Sequence, residues 1–508
     1  MSRNSKIQDL NTLAETIAAL KAQGKTVVQS HGVFDLLHLG HIRHFEEARR
    51  MGDVLVVTLT PDEHVNKGPH RPAFSHDLRA EAIAALAAVD YVAVNAWPLA
   101  VEAIKLLKPS IYVKGPDYKN AEKDITGGIV PEAEAVRSVG GEIRFTDDVT
   151  YSSSNLLNRY LSSMPDDVQR YLEGFRGKYS VQQVFDFLEG FASLRVLVVG
   201  EAILDEYVYC DALGKSSKEP IIAMRYQSRE TYAGGALAIA NHLAAFCGHV
   251  GLATYLGTTN PSEEFVRSKL KSNVHPFFIR KTDSPTIVKR RYVEKYLVTK
   301  LLEVYEMNDD PLKPAEDEQL SKALAQMMSE YDIVIAADFG HGLITPQATE
   351  LLCSKAKFLA VNTQINAGNM GFHAISKYRR ADYVCIQEGE IRLDRRNRLG
   401  ELDFLVRDLA ERISCRTIMV TRGKIGTLLY SPEQGSFESP SLAFKVVDRV
   451  GAGDAVLAIT SACVFRNMPL DLTGFIANLV GAQIVGVVGN SSSLERVPLL
   501  KSIEAMLK

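Results

Sequence analysis

The chain has 508 residues, with 58 Lys and Arg against 61 Asp and Glu, a net charge of −3, and 46% apolar against 23% charged residues. That balance belongs to a folded chain of more than one domain; it excludes wholesale disorder and a fibrous repeat, and it lacks the basic excess of a dedicated nucleic-acid binder. No apolar run reaches the roughly 18 residues of a membrane span, and the longest candidate, around 480–488, is interrupted by Gly481, Gly486 and Gly489. The first residues lack the basic-then-apolar plan of a secretion signal. Six scattered cysteines without a C-x-x-C pair fit buried thiols in a reducing compartment, so a cytoplasmic location without membrane or nucleic-acid partners is expected.

In chain order, Leu10, Leu13, Ile17 and Leu20 fall at helical spacing. Strands are then predicted at 26–29, 54–60, 91–94 and 111–114, alternating with helices at 41–51, 77–86 and 100–107. A helix at 152–161, with serines at its start, closes a first domain over 1–162. The stretch 163–192 begins polar and reads as a connector. A second α/β pattern opens with the apolar strand 195–200 and fills 193–508 as one large domain. Short apolar runs at 331–337, 358–362, 383–386 and 417–421 have the character of buried parallel strands. The expected fold class is α/β in two domains, each a parallel-type sheet with helices on both faces.

Between the first strand and helix lies Gly32-Val33-Phe34-Asp35, followed by His38-Leu39-Gly40-His41. A helix N-terminus attracts phosphate through its free amides and partial positive charge. Imidazoles there can donate to a triphosphate as charge develops on phosphorus and on leaving pyrophosphate. Two alternatives compete. One is a metal set of His38, His41 and His44, for which no Cys or downstream Glu completes the shell; the other is histidines on a solvated helix face.

The HxGH segment resembles the signature of the cytidylyltransferase-like nucleotidyltransferases. The resemblance continues in order through Lys67-Gly68, Arg71-Pro72, Arg79, Val113-Lys114-Gly115-Pro116-Asp117-Tyr118 and Tyr151-Ser152-Ser153-Ser154-Asn155. Those segments are most similar to the nucleotidyltransferase half of the bifunctional enzymes that make ADP-heptose. The resemblance implies a Rossmann-like domain in which His38 and His41 stabilise the transition state. Gly32, Val33, Phe34, Lys67, Arg79, Lys114, Asp117, Ser152 and Ser153 would then bind nucleotide and phosphate, from ATP or, as the alternative, CTP.

In the second domain, Asp448-Arg449-Val450-Gly451-Ala452-Gly453-Asp454 runs into a helix. Glycines before a helix start make a backbone anion pocket, and an aspartate beside it can accept a proton from an attacking alcohol. The plain alternative is a glycine-rich turn with a capping Asp. The strand 196–205 ends in Asp205, Gly234-Gly235 precedes a helical stretch bearing Asn241, Ala337-Asp338-Phe339-Gly340-His341-Gly342 follows a strand, and Thr421-Arg422-Gly423-Lys424-Ile425-Gly426 could lie along a nucleotide. This order resembles the ribokinase-like (PfkB) family, and again the kinase half of the ADP-heptose enzymes. It implies Asp454 as catalytic base and Gly451, Ala452 and Gly453 as the anion hole. Thr421, Gly423 and Gly426 would flank ATP, and Asp205, Gly234, Gly235 and Asn241 would contact the sugar. Gln387 and Glu390 would organise ATP phosphate, with Mg2+ expected through the Glu390 region and no direct metal ligand set.

The sequence departs from that pattern at Gln387, where the family carries Asn, at Ala238, where it carries a substrate-touching Asn, and at Val361-Asn362-Thr363-Gln364, which replaces an acidic and basic pairing. In the heptose enzymes the kinase half comes first; here the order is reversed. The expected function is a bifunctional sugar kinase and sugar-1-phosphate nucleotidyltransferase, with a heptose or related sugar or polyol as substrate and a homo-oligomeric state. The alternative is a nucleotidyltransferase fused to a weakened kinase fold that senses sugar or nucleotide.

Overall fold

A computed structural model of the chain describes residues 3–65, 71–118, 127–147, 164–296, 299–443 and 445–507. It divides into two compact units, Met1–Pro165 with Leu500–Lys508, and Asp166–Leu499.

The first unit is built on five strands: β1 (Val27–Gly32), β2 (Val54–Leu59), β3 (Tyr91–Val94), β4 (Ile111–Lys114) and β5 (Glu142–Phe145). They lie in the order β3-β2-β1-β4-β5 and every pair is parallel. Valines and leucines of β1 and β2 are buried on both faces, as a sheet covered by helices on each side requires. Leu13 and Ile17 of the helix Leu10–Ala22 pack on one face, while Phe45 and Ala48 of Leu39–Arg50 pack on the other. The strand order reverses between β1 and β4, so a crevice opens at their carboxyl ends, where open α/β sheets bind ligands. Helix Ile129–Ser138 and β5 were not foreseen. The predicted helix 152–161 lies outside the described residues.

The second unit adds thirteen strands: β6 (Arg195–Gly200), β7 (Ala202–Lys215), β8 (Ile222–Gly235), β9 (His249–Gly257), β10 (Val274–Lys281), β11 (Ile287–Glu294), β12 (Thr299–Glu306), β13 (Ile333–Asp338), β14 (Leu359–Thr363), β15 (Tyr383–Gln387), β16 (Thr417–Thr421), β17 (Gly426–Ser431) and β18 (Gly435–Pro440). Nine of them form one sheet, β10-β9-β6-β13-β14-β15-β16-β17-β18, parallel up to β16 and antiparallel beyond. The other four form a second sheet, β12-β11-β7-β8.

Two expectations are corrected here. The predicted strand 196–205 is two strands that break at Glu201, because the chain leaves the large sheet there and enters the small one. The stretch 163–192 is no bare connector. It holds helices Asp166–Arg176 and Val181–Glu189, the first burying Val168, Leu172 and Phe175. Phe175 stacks on Phe475 at 4.5 Å, and Tyr179 donates to Asp471 at 2.7 Å. All six cysteines are buried and free.

Candidate active sites

In the first unit, the chain leaves β1 at Gly32 and turns through Phe34, whose φ is +48°, into the helix Leu39–Arg50. Gly32 leaves room for the Phe34 ring, whose tip would lie 2.9 Å from a Cβ there. His38 caps the helix, and its Nδ1 accepts from the Gly40 amide at 3.1 Å. In the neutral ring this leaves the proton on Nε2. His41, one turn on, stacks on His38 with ring centroids 3.9 Å apart, and Phe34 meets it edge-on at 5.4 Å. The structure therefore brings Gly32, Phe34, His38 and His41 together at the switch of strand order.

The metal alternative loses its third member. His44 bonds Ser30 Oγ through Nε2 and Thr146 Oγ1 through Nδ1, both at 2.9 Å. Burial, with Lys114 nearby, holds its pKa down at about 4. His31 is likewise occupied, by Thr58 and Thr60 at 3.0 and 3.2 Å, and the same causes hold it at about 3.

Two expected phosphate contacts are corrected. Arg79 is only 2% exposed and its guanidinium is spent internally, on the carbonyls of Val33, Thr60 and Phe74 and on Asp62. It holds the Val33 carbonyl, and thereby the loop, rather than presenting charge to a ligand. Lys114 sits at the end of β4 but pairs with Glu132 at 2.8 Å, its ammonium 4.9 Å from the Tyr118 ring centre. Lys67, Ser152 and Ser153 lie outside the described residues, as does the side chain of Asp117. Asp35 was overlooked: buried, it accepts from Arg71 at 2.8 Å and from the Ala73 amide at 2.5 Å, so it holds the far side of the loop.

In the second unit, Gly451 caps the helix Ala452–Phe465 at φ +83°, and a Cβ there would collide with Asn490. A Cβ on Gly453 would meet nothing within 4 Å, so the face of this first turn is open. Its first amides have no intrahelical acceptors, and a helix start of this kind, beside Asp454, suits an anion. Asp448 fixes the turn. It accepts from the Val450 amide at 3.1 Å, the Gly489 amide at 3.0 Å, Tyr207 Oη at 2.6 Å and Lys300 Nζ at 2.5 Å, which joins the turn to β7 and β12. Burial pushes the Asp454 carboxyl up to about 7, the carboxylates of Asp205 and Glu390 add to it, and Lys289 opposes it. A carboxylate so tuned is matched to accepting a proton near neutral pH.

Asp205, on β7, is 3% exposed; it pairs with Arg291 at 2.5 Å and accepts from Asn490 Nδ2 at 2.9 Å. Gly234 is cut to fit, since a Cβ there would strike the Asp205 carboxylate. Gly235, at φ +58°, turns β8 into the helix Ala236–Ala244. Asn241 is a correction. Its Nδ2 donates to the Lys269 carbonyl at 2.9 Å and its Oδ1 accepts from the Lys271 amide at 3.0 Å, so its amide fastens a loop.

Thr421 and Gln387 face each other across β16 and β15 at their carboxyl ends, and Gly423 (φ +56°) and Gly426 (φ +115°) shape the turn that follows. Gln387, to which the family resemblance gave a phosphate role, closes onto its own helix by accepting from the Gly389 amide at 2.5 Å. Glu390 completes a capping box, its oxygens accepting from the amides of Gln387 at 2.7 Å and Ile365 at 3.1 Å. Burial outweighs those amides and raises Glu390 to about 7. Among the described residues, no group of three His, Cys, Asp or Glu side chains is arranged to hold a metal. Nor is any described helix long and apolar enough to cross a membrane. Asn490, Asp448 and Lys289 were missed. A lone Asn before three serines looks like a turn, and nothing in sequence marks the strand that carries Lys289.

The pfkB family carbohydrate kinase profile matches residues 193–496, and the cytidylyltransferase-like profile matches residues 30–159. The chain is 39% identical over 161 residues to the bifunctional protein HldE of Syntrophotalea carbinolica, covering 31% of this chain and 31% of that one. It is 27% identical over 321 residues to the bifunctional protein HldE of Shewanella amazonensis, covering 63% of this chain and 65% of that one. Each alignment thus spans less than two thirds of the relative. Phosphofructokinase-2 from Escherichia coli in complex with substrates and products superposes with a TM-score of 0.52 at 16% identity, covering 62% of this chain and all of that chain, a likeness of fold.

Proposed function

The chain belongs to the pfkB family of carbohydrate kinases, and on that footing we propose a bifunctional transferase that makes a nucleotide-activated sugar. The second unit would phosphorylate a hydroxyl of a sugar or sugar phosphate with ATP. The first would join a sugar 1-phosphate to a nucleotide. The observation that carries this reading is the pairing of an open glycine turn with Asp454, whose carboxyl is held near 7, across from Asp205. The likeness to two HldE relatives, over 161 and 321 residues, supports a heptose or related sugar or polyol as acceptor.

In the kinase step, the acceptor hydroxyl lies against Asp205 and gives its proton to Asp454. Its oxygen bonds to the γ-phosphorus as the bond to the β-bridging oxygen breaks, and ADP leaves. The amides of the Gly451–Gly453 turn take up charge on the transferring oxygens. In the nucleotidyl step, an oxygen of the sugar 1-phosphate bonds to the α-phosphorus, the bond to the β-phosphate breaks, and pyrophosphate leaves. His38 Nε2–H and His41 meet the charge that develops. Mg2+ arriving with the nucleotide would neutralise phosphate charge; it would keep phosphate oxygens and water as ligands, because Glu390 is held by amides and Asp205 by Arg291 and Asn490.

The test is a matrix of sugar 1-phosphates against ATP and CTP read by pyrophosphate release, with ADP formation from sugars and polyols, free and phosphorylated, read in parallel. Failure of both readouts with every substrate would overturn the proposal. One observation favours a second reading, a kinase fold that senses without turnover: Gln387 Oε1 is spent on the Gly389 amide, and the two Glu390 oxygens on the amides of Gln387 and Ile365. Sugar and ATP binding without ADP formation would favour it. A homo-oligomer in the cytoplasm completes the proposal. Exposed Leu301, Leu302 and Val304 on β12 support the first, and six free buried thiols the second.

A further inference from the structure

The segment Asp338–Gly342 begins at the last residue of β13, on the carboxyl edge of the large sheet, where open α/β sheets bind ligands. Its backbone is held from two sides. Buried Glu201 accepts from the amides of Phe339, His341 and Leu343 at 3.1, 3.1 and 3.2 Å. The His341 carbonyl accepts from Tyr255 Oη at 3.3 Å and from Lys281 Nζ at 3.4 Å. Gly340 and Gly342, at φ +72° and +89°, flank the histidine. Its imidazole is 1% exposed, and neither ring nitrogen has a hydrogen-bond partner. The ring is thus aimed by its backbone alone. Buried polar atoms left unpaired are costly, and a native site that keeps two of them on one side chain is built for a ligand that pairs them.

The surroundings of the ring favour an anion. Burial, and then the charges of Lys289, His373 and Lys281, hold it at about 3, so at neutral pH it carries one N–H and one lone pair. The Asp338 carboxylate is spent on Lys377, His373 and Tyr378. Lys289 lies on β11, in register with Asp205 on β7, and is 5% exposed. Its ammonium stands over the Tyr305 ring, 5.3 Å from the centre, and among the described residues it donates to no oxygen. Burial holds that ammonium below its ordinary pKa against the carboxylates of Asp205, Glu201 and Asp454. One lysine therefore acts both on the imidazole and on the two carboxylates of the kinase site.

We propose that His341 is a further catalytic residue of the kinase site, donating from one ring nitrogen to an oxygen of the transferring phosphoryl group, with Lys289 donating beside it. The inference rests on the kinase reading, which makes that group the γ-phosphoryl of ATP. As the acceptor oxygen bonds to the γ-phosphorus and the bond to the bridging oxygen of ADP breaks, the hydroxyl proton passes to Asp454 and charge spreads over the three equatorial oxygens. The glycine turn meets those oxygens with backbone amides, and His341 and Lys289 meet them with side chains from the end of β13 and from β11. The second ring nitrogen accepts from the Lys289 ammonium, which accounts for both unpaired atoms. A hydroxyl of the acceptor in the same place would pair the ring but leave Lys289 without a counter-charge, so the anion is favoured.

The experiment uses the full chain with Mg2+ at pH 9, where Asp454 is ionised. ADP release is followed with ATP and mannose, ribose, mannose 6-phosphate or ribose 5-phosphate. His341→Leu should lower kcat about 100-fold with the KM values for ATP and acceptor nearly unchanged, as when one donor to a developing charge is lost. His341→Gln keeps an N–H and should recover part of the loss. Lys289→Met leaves every bond of the 338–342 segment in place and should lower kcat on the same scale. A second readout needs no turnover: calorimetric binding of ADP with aluminium fluoride, a mimic of the transferring phosphoryl group. His341→Leu and Lys289→Met should weaken it about 100-fold and leave the affinity for ADP alone unchanged, which also reports a folded unit. Where His341→Leu fails to bind ADP, Lys289→Met and His341→Gln decide. Unmoved kcat and unmoved aluminium fluoride binding would overturn the proposal. So would a loss confined to the acceptor KM, which marks a hydroxyl contact, or a wild type that binds ADP no better with aluminium fluoride than without. No ADP release from any acceptor, together with aluminium fluoride binding that both variants weaken, would instead remove the kinase reading and leave the anion contact standing.

Discussion

Asp205 and Asn490, on β7 and near the end of the unit respectively, are joined by a 2.9 Å hydrogen bond from Nδ2 to Oδ2. The same asparagine blocks any side chain at Gly451. The sugar-side carboxylate and the glycine turn are therefore set against each other through one residue, and a change at Asn490 should move both. Removing the amide leaves Asp205 with Arg291 as its remaining partner.

Asp454→Asn keeps the shape but cannot take the alcohol's proton. Phosphoryl transfer should fall by about 10²- to 10⁴-fold with ATP binding retained. Unchanged ADP formation would remove Asp454 from the role of base.

The pH profile gives a separate check on the same group. Since the base must be ionised, kcat/KM for phosphorylation should rise with pH through about 7, the value at which burial and its acidic neighbours hold Asp454. Lys289→Met removes the one cation opposing that shift, so the inflection should move to higher pH. A profile flat from pH 5 to 9 in the wild type would contradict the assignment.

For the nucleotidyl step, His41→Ala should lower pyrophosphate release by about 100-fold or more, the loss seen when one donor to a developing charge is removed. ADP formation by the other unit should not change. Normal pyrophosphate release would take the stacked histidine pair out of the mechanism.

Arg79 tests a structural against a ligand-binding role. Arg79→Met strips partners from Asp62 and from three carbonyls, and should cost about 3 kcal/mol of stability by chemical denaturation. The KM for nucleotide in the folded fraction should stay nearly constant. A large KM increase without loss of stability would restore the phosphate contact.

Stability should also fall on acidification, because two imidazoles of the first unit are buried neutral. His31 and His44 are held at about 3 and about 4, below their ordinary 6.5. Below pH 6.5 the unfolded chain therefore binds protons that the folded chain refuses, and stability is lost as the pH drops from 6.5 towards 4. Thermal melts at pH 7, 5.5 and 4.5 should show the decline, and His31→Gln or His44→Gln should flatten it. Parallel slopes in wild type and variants would place the acid sensitivity elsewhere.

Four of the five strands of the first unit were legible because they are short runs rich in β-branched residues between turn residues, and β3, β4 and β16 begin and end at the residues that the pattern marks. The small sheet was not. Thr299–Glu306 is exposed along most of its length and Ile222–Gly235 over its first half, so neither shows the buried run of the large sheet and only pairing makes them strands. The segment after Ser162 misled for a related reason. Its polar residues face solvent, while Val168, Leu172 and Phe175, spaced three and four apart, carry the packing. In the sites, the sequence displayed donors but not what consumes them. His38 stacks on His41, and the Asp205 carboxylate acts on Asp454, whereas Arg79 and Asn241 bond carbonyls, a carboxylate and an amide that lie close only after folding.

The six cysteines, Cys210, Cys247, Cys353, Cys385, Cys415 and Cys463, all belong to the second unit, and the first has none. Burial also raises the pKa of Cys247, Cys385, Cys415 and Cys463, which suppresses the reactive thiolate while the unit stays closed. The molecule thus carries a native reporter. A thiol reagent labels it only when the kinase half opens, at a rate set by that opening, and a nucleotide or sugar that protects the cysteines from labelling identifies itself as a ligand of that half without any assay of turnover.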